Sequence, residues 1–195
     1  MASREEALCT RARLPAVVLA GEQGGQRIPG FDLGNSPREF TRGAVGGRDV
    51  ILTTSNGTTA LRAVGGGRTV AIGAFRNRAA VGDWLVSRGA DSLIVCSGYE
   101  GGFSLEDAVC AGSIVDRASR MAARLVLGDG ARACQVLWER FGADLGRLLP
   151  ETGWGDRMLA LGFGPDLTMC AELDATEVVP VMEGERITLD SPVVL

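Results

Sequence analysis

The stretch from Thr53 to Thr59 is rich in neutral side chains that form hydrogen bonds. It holds four threonines, one serine and one asparagine around a single glycine. The stretch overlaps the end of an apolar run (49–54) and the start of a helix-like run (58–65). It therefore lies at a predicted strand-to-helix junction. Donors at such a junction can bind a phosphate-like anion, and the same side chains can instead cap the helix. Both interpretations stay open. The predicted substrate-binding residues of this stretch are Thr54, Asn56, Gly57 and Thr58.

The residue types that the chain lacks narrow the chemistry further. There is no histidine, and all 20 basic residues are arginine. The absence of histidine excludes Ser–His and Cys–His catalysis and histidine metal sites. The absence of lysine excludes a Walker A lysine and a Schiff base. Acid–base work must therefore fall to Asp, Glu, Cys, Tyr or water.

The five cysteines do not suggest covalent catalysis or a disulfide framework. They are odd in number and widely spaced, which predicts free thiols in a reducing compartment. Cys96 lies near the end of an apolar run, but it has no histidine to activate it. Cys134 and Arg140 match the C-x5-R spacing of cysteine phosphatases, yet they fall inside a predicted amphipathic helix. We therefore interpret that match as chance.

The length and net charge of the chain limit the class of protein that it can be. The chain has 195 residues and a net charge of −4, which predicts one globular domain over residues 1–195 and no nucleic-acid partner. No apolar run reaches the roughly 18 residues of a membrane span, and the N-terminus lacks the apolar core of a signal peptide. We expect a cytoplasmic protein without a membrane partner, and a homodimer is compatible with the sequence.

The elements that must position these residues alternate along the first half of the chain. Four apolar runs of strand length occur at 16–20, 49–54, 69–75 and 92–98, and helix-like segments follow the last three. Such alternation predicts an α/β fold, here a three-layer α/β/α arrangement with a mostly parallel sheet. Two further helices are predicted at 129–142 and 154–162, and residues 177–189 predict a closing hairpin that turns at Glu183-Gly184.

Ligands of open α/β sheets bind beyond the carboxyl ends of the strands. The four loops after the predicted strands should therefore converge. They carry a mixture of arginines and carboxylates, which suits an anionic substrate held together with a divalent metal. The polar residues of these loops are Glu22, Arg27, Asp32, Asn35, Ser36, Thr54, Asn56, Thr58, Arg76, Asn77, Arg78, Glu100, Ser104, Glu106 and Asp107.

Four of these stretches, taken together, resemble one protein family. The segments "LAGEQGGQRIPGFDLGNSPREF", "VILTTSNGTTAL", "IGAFRNRAAV" and "IVCSGYEGGFSLEDAVCAGSIV" occur in this order. In sequence and spacing they are similar to the 2-phosphosulfolactate phosphatase (ComB) family, from about Glu5 to the closing "VVPV". The resemblance implies hydrolysis of 2-phosphosulfolactate to sulfolactate and phosphate, dependent on Mg²⁺, in coenzyme M biosynthesis.

We assign roles in this expected reaction to the loop residues. Water is expected as the nucleophile, the phosphoryl group is expected on Asn56, Gly57 and Thr58, and arginines are expected on the other anionic groups. The expected catalytic residues are Glu22, Asp32, Glu106 and Asp107. The expected magnesium ligands are Asp32, Glu106 and Asp107, with Glu22 and Glu100 as alternatives. The expected substrate-binding residues, beyond those of residues 53–59, are Arg27, Asn35, Ser36, Arg76 or Arg78, Asn77, Glu100 and Ser104.

The chain departs from the family pattern at its start. Members begin with an apolar strand that runs into an Asp-Val-Leu-Arg-Ala-Thr-Thr-like segment, and this sequence begins with what normally follows. We therefore expect the family's first strand and helix to be missing here. The alternative prediction is an inactive homologue or fragment that binds a small anion without turnover.

Overall fold

The protein has an α/β fold of many helices and two small sheets. Its structure, a computed structural model, describes residues 4–64 and 69–189. The predicted helix at 58–65 extends one residue beyond the first of these ranges, so its last residue lies outside the described part. None of the helices in the two ranges combines the length and the apolar character that a membrane span requires.

The first sheet contains three strands in the order β2-β1-β3. Strand β1 (Val18–Gln23) is buried over its first five residues, as expected for an apolar strand covered on both faces. It pairs in parallel with β3 (Val50–Thr53), with Val18 opposite Val50 and Gly21 opposite Thr53. The short strand β2 (Gln26–Arg27) folds back antiparallel to the end of β1.

The second sheet is antiparallel, in the order β4-β5-β6. Strand β4 (Val70–Ala71) pairs with β5 (Pro180–Glu183), which forms the predicted hairpin with β6 (Arg186–Leu189). The hairpin turns at Gly184 and Glu185, and Gly184 has the positive φ of 62° that favours glycine in a tight turn.

Nine helices lie within the described residues, and the sequence had predicted five of them. Serine, threonine or aspartate side chains cap four of the nine (α2, α5, α7 and α8), as helix N-termini prefer. The predicted helix start at Ser36–Glu39 is instead a short 3-10 turn, in which the Ser36 side chain forms no capping bond. The helices are α1 (Arg4–Arg13), α2 (Arg42–Val45), α3 (Gly57–Val64), α4 (Arg78–Arg88), α5 (Leu105–Met121), α6 (Asp129–Phe141), α7 (Leu145–Glu151), α8 (Gly153–Ala160) and α9 (Gly164–Cys170).

Two apolar clusters hold these elements together. In one, Ala7 of α1 packs with Leu19 of β1 and Ile51 of β3. In the other, Val109 of α5 packs with Phe75 and with the leucines of α7. Helices α5 and α6 cross closely at Gly112, where a Cβ atom would lie 1.9 Å from the Cys134 carbonyl oxygen.

The sheet differs from the prediction in one important respect. Residues 92–98, predicted as the fourth strand, belong to neither sheet. Among the named strands only β1 and β3 run parallel, so the predicted mostly parallel sheet and three-layer arrangement are not seen in the described residues. Strand propensity alone does not form a strand, because a strand also needs a neighbouring edge to pair with.

Candidate functional site

Glu22 is a buried polar residue near the carboxyl end of β1. Only 6% of its surface is exposed. Its carboxylate accepts hydrogen bonds from the Gly25 N–H at 2.8 Å, the Ser55 N–H at 2.7 Å and the Ser55 hydroxyl at 3.2 Å. Glu22 thereby joins the loop after β1 to the loop after β3, as the parallel pairing of these strands predicts.

Gly21 permits the close approach of the two strands just before this contact. Its φ is +151°, and a Cβ atom there would lie 2.0 Å from the Thr53 carbonyl oxygen. A side chain at position 21 would therefore separate β1 from β3 and pull Glu22 away from Ser55.

The hydrogen-bonding groups at the start of α3 are of two kinds: threonine side chains that bond to each other, and backbone N–H groups that do not. Thr54 and Thr58 bond to each other: the Thr58 N–H donates to Thr54 Oγ1 at 3.0 Å, and the Thr58 hydroxyl donates to the Thr54 carbonyl at 2.8 Å. The N–H groups of Asn56 and Gly57 have no acceptor within the described residues. The threonines therefore cap α3, while Asn56 and Gly57 present free donors at its positive end.

Asp32 lies away from this junction, beside the start of β1. Its carboxylate accepts from the Leu19 N–H at 2.8 Å and forms an ion pair with Arg11 of α1. Burial opposes ionisation of Asp32, but the Leu19 hydrogen bond and the Arg11 guanidinium outweigh it and hold the pKa below its usual range. Leu19, which Asp32 contacts, and Glu22 are three residues apart on β1, about 10 Å along the strand.

The other predicted residues of the first loop lie nearer to Glu22. Arg27 in β2 pairs opposite Glu22 and donates to the Asp32 carbonyl at 3.2 Å. Asn35 is exposed, whereas Ser36 is 8% exposed at the start of the 3-10 turn. Glu39 organises this loop by accepting from the Gly34 N–H at 2.8 Å.

The polar side chains of the loop after β4 bond to the C-terminal part of the chain. Arg76 donates to the Met169 carbonyl and forms an ion pair with Glu172, and Arg78 forms an ion pair with Asp174. Asn77 is buried and donates to the Ile72 and Val178 carbonyls. These three side chains tie the start of α4 to the C-terminal part of the chain.

The loop before α5 brings one carboxylate to a large cavity. Asp107 accepts from the Gly98 N–H at 2.8 Å and from the Ser97 hydroxyl at 3.1 Å, and it lines the cavity together with Gly57 of α3. Ser104 caps the helix through the Asp107 N–H. Glu106 is half-buried beside Asp107, and Glu100 is exposed in a turn. One acid of the pair thus faces the cavity and the other does not.

Three residues that the sequence analysis missed connect these loops. Trp154 of α8 lies against Gly25, and its ring centroid is 5.6 Å from that of Tyr99. Arg157, one turn further along α8, reaches the Gly24 carbonyl at 3.4 Å. Nothing in the sequence marks α8 as part of the site, because it does not follow a strand of the sheet.

Cys96 is poorly suited to be a nucleophile. Partial burial of its sulfur at the cavity wall and the neighbouring Asp107 carboxylate raise the pKa of the thiol to about 11, although the residue as a whole is exposed. The thiol is therefore protonated at neutral pH. All five cysteines are free thiols, as the sequence predicted.

The described residues contain no group of three or more carboxylates and cysteines arranged to hold a metal ion. Each predicted ligand is instead held separately, Asp32 by Arg11 and Asp107 by Gly98. Glu22 differs from Asp32 because its carboxylate forms no ion pair within the described residues. Its hydrogen-bond donors are the neutral N–H groups of Gly25 and Ser55 and the Ser55 hydroxyl.

Comparison with known proteins shows which family has this sequence. The sequence profile of a family described as 2-phosphosulpholactate phosphatase matches residues 1–185. The chain belongs to this family. The match includes Glu22, Ser55 and Asp107, and therefore all three loops that meet around the candidate site.

Individual relatives agree with the family assignment. A protein of Deinococcus radiodurans, named probable 2-phosphosulfolactate phosphatase, is 39% identical over 91% of this chain and 74% of its own length. A protein of Thermotoga petrophila with the same name is 36% identical over 91% of this chain and 75% of its own length. One of a Synechococcus species is 42% identical over 84% and 68%. About a quarter to a third of each relative thus lies outside the match.

Proposed function

We propose that this protein is a phosphatase that hydrolyses a small, multiply anionic phosphate monoester, 2-phosphosulfolactate, to sulfolactate and phosphate. The observation that carries the proposal is the family match over residues 1–185, with relatives of 36–42% identity that bear this name. The geometry around Glu22 and the start of α3 supports it, because phosphate-binding donors and a buried carboxylate lie side by side.

The substrate's phosphate would bind at the N-terminus of α3. The free N–H groups of Asn56 and Gly57 point out of the helix end, where the helix dipole favours an anion. The Thr54–Thr58 cap holds this end rigid without using those two donors. The carboxylate and sulfonate would be bound by arginines, and the candidates are Arg27 of β2, opposite Glu22, and Arg157 of α8, which contacts the loop after β1.

Magnesium is part of the proposal, with Glu22 as its first ligand. A buried carboxylate without a facing cation suits a divalent ion, and Mg²⁺ in phosphate sites commonly takes only one or two protein carboxylates besides water and phosphate oxygens. Asp107 is the second candidate ligand, since it lines the same cavity as Gly57. When bound, the ion would neutralise phosphoryl charge and lower the pKa of an attacking water.

Three further features belong to the proposal. The reaction serves coenzyme M biosynthesis in the cytoplasm, as the family resemblance implies. The partner is a small phosphorylated acid rather than a nucleic acid or a membrane. The fold class is a three-layer α/β/α arrangement with a mostly parallel sheet.

The test is phosphate release from a panel of small phosphate esters, with and without Mg²⁺. We expect 2-phosphosulfolactate to be hydrolysed fastest and chelation of Mg²⁺ to abolish turnover. Esters without the sulfonate should be poorer substrates, since a charge-assisted contact to an arginine would be lost. Hydrolysis of every ester at the same rate would contradict the assignment. Tight binding of 2-phosphosulfolactate without phosphate release would instead support the alternative of an anion-binding homologue.

A further inference from the structure

The two carboxylates proposed as magnesium ligands are held by different loops. Glu22 accepts from the Gly25 N–H at 2.8 Å, in the loop after β1. Asp107 accepts from the Gly98 N–H at 2.8 Å, in the loop before α5. A shift of either loop would therefore displace the backbone donor of its carboxylate. The spacing of the two carboxylates depends on what connects these loops.

Trp154 of α8 contacts both loops at once. A Cβ atom at Gly25 would lie 3.5 Å from Trp154 Cη2, so the edge of the indole lies beside the first loop. The Trp154 ring also pairs with the ring of Tyr99 in the second loop, with centroids 5.6 Å apart and planes tilted by 54°. This separation is within the roughly 4.5–7 Å over which aromatic rings attract each other.

The Tyr99 backbone is bonded into the second loop, next to the donor of Asp107. Tyr99 and Gly102 exchange two backbone hydrogen bonds, of 3.3 Å and 2.8 Å, which close a tight turn. Gly98 precedes Tyr99 directly and lies against Gly102, because a Cβ atom at Gly98 would lie 2.6 Å from the Gly102 carbonyl oxygen. A displacement of the Tyr99 ring is therefore transmitted to Gly98 and to Asp107.

The start of α8 is fixed to the core of the protein, so Trp154 has a firm base. The buried Thr152 hydroxyl donates to the Leu149 carbonyl at 2.9 Å and accepts from the Gly155 N–H at 3.1 Å. Leu149 belongs to the apolar cluster that contains Val109 of α5. The helix that carries Asp107 and the helix that carries Trp154 are thereby connected through the same core.

We propose that Trp154 and Tyr99 are positioning residues, whose ring contact sets the spacing between the loop that holds Glu22 and the loop that holds Asp107. Both rings act through the glycine backbone of the loops. The inference rests on the proposed function, because it assigns the pair of rings to the two carboxylates proposed as magnesium ligands. The contacts form one continuous line through Glu22, Gly25, Trp154, Tyr99, Gly98 and Asp107.

Ordinary packing is the competing explanation, and Trp138 provides the comparison. Its ring pairs with that of Phe75, with centroids 6.4 Å apart, beside the same apolar cluster. Trp138 and Trp154 are both partly buried, but only Trp154 contacts the loop after β1. Loss of either ring should lower stability, whereas loss of the Trp154 ring alone should change the two carboxylates.

The test compares Trp154→Leu with Trp138→Leu, which remove the two rings by the same substitution. Amide exchange of the metal-free chain is followed by NMR, and Mg²⁺ affinity is measured by calorimetric titration with MgCl₂. In Trp154→Leu, we expect the Gly25 and Gly98 amides to exchange about tenfold faster. Mg²⁺ affinity should fall about tenfold, as is usual when a residue that orients a metal ligand is lost. Trp138→Leu should lower Tm and change neither measurement.

Variants of Tyr99 show whether the ring contact itself is responsible. Tyr99→Phe should behave as the original chain, because the Tyr99 hydroxyl forms no hydrogen bond within the described residues. Trp154→Phe keeps a ring and should restore most of the Mg²⁺ affinity. Tyr99→Leu should reproduce Trp154→Leu, and the double variant should be no worse than either one, since both remove the same contact. Slow exchange of the α5 amides verifies that each variant is folded.

Three results would overturn the proposal. The Gly25 and Gly98 amides exchange at the original rate in folded Trp154→Leu. The losses of Trp154→Leu and Tyr99→Leu add up in the double variant. Trp138→Leu speeds exchange at the two glycines as much as Trp154→Leu does, which would identify general destabilisation. Absence of Mg²⁺ binding by the original chain would instead contradict the metal of the proposed function, and the exchange rates of the metal-free chain would still decide the role of the two rings.

Discussion

At the scale of single residues, the two carboxylates near β1, buried Glu22 and exposed Asp32, have opposite electrostatic settings. Asp32 faces the Arg11 guanidinium, so its charge is compensated and its role is structural. Glu22 faces three neutral donors, so its charge is stabilised locally but not neutralised. Only the second arrangement leaves a carboxylate with a reason to attract a cation from solution.

Glu22→Gln should abolish Mg²⁺-dependent phosphate release and lower the free energy of unfolding by about 1–3 kcal/mol, because the amide nitrogen cannot accept from the Gly25 or Ser55 N–H. Phosphate release and urea unfolding measure the two effects. Glu39→Gln is the matched control, since it replaces a carboxylate that accepts from a loop N–H in the same region. Equal turnover in the two variants would remove Glu22 from the site.

Asp32→Asn should lower Tm at pH 7 and have little effect in acid. The pKa of Asp32 is lowered in the folded state, so its stabilising contribution is complete above the ordinary value of 3.8 and disappears as the pH falls below it. Thermal melts of both proteins between pH 3 and pH 7 test this. Arg11→Gln should reproduce the effect, and a Tm difference that persists unchanged at pH 3 would be inconsistent with the ion pair.

At the scale of elements, the start of α3 is capped and still keeps donors free for a ligand. The two threonines satisfy each other across the first turn, while Asn56 and Gly57 keep their donors free. At Gly112 the absence of a side chain lets the backbone of α5 lie against the backbone of α6.

Thr54→Val and Asn56→Ala should separate the two functions of this helix end. The first variant removes the cap and should cost about 1 kcal/mol of stability with little change in phosphate affinity. The second removes the side-chain amide of Asn56, a further donor at this helix end that forms no hydrogen bond within the described residues, and should weaken phosphate binding with little change in Tm. Melting curves and phosphate titrations test the pair, and parallel losses in both variants would mean that the helix end acts only as a cap.

Gly112→Ala should destabilise the protein by about 1–3 kcal/mol, the usual cost of overpacking. The added Cβ would meet the backbone of α6 at Cys134, so the two helices must move apart. Gly130→Ala is the opposite case, since nothing lies within 4 Å of its added Cβ and alanine favours the helix by up to about 1 kcal/mol. Urea unfolding of the two variants should therefore give changes of opposite sign.

At the scale of the whole molecule, apolar surface is well covered around α5 and poorly covered around the cavity. Helix α5 contains more buried residues than any other described helix, and it packs against α6 and the leucines of α7. Across the cavity, α3 and residues 92–97 have apolar surfaces that nothing in the described residues covers. Stability should therefore be uneven along the chain.

Amide hydrogen exchange of the isolated chain should show this difference directly. The amides of residues 93–97 should exchange close to the rate of an unstructured peptide, and those of Val109–Ile114 should be the slowest, since their bonds lie in a buried helix. Slow exchange at 93–97 in a dilute, monomeric sample would mean that this segment is already paired.

The sequence by itself determined much of the local structure and of the chemistry. Apolar runs predicted β1 and β3, periodicity predicted α4, α5 and α6, and the turn at Glu183-Gly184 predicted the closing hairpin. The lack of histidine and lysine excluded whole classes of mechanism, and long motifs identified the family before any geometry was known. Such features depend on neighbours along the chain, and those are visible in a sequence.

The tertiary structure alone decided which polar residues meet. Arg76, Asn77 and Arg78 follow a strand as Glu22 does, but ion pairs and hydrogen bonds to the C-terminal part of the chain hold them away from it. Trp154 and Arg157 join the site from a helix that carries no local sign of function. Residues 92–98 have strand composition but no partner, because a sheet forms only where two edges are brought together by the rest of the fold.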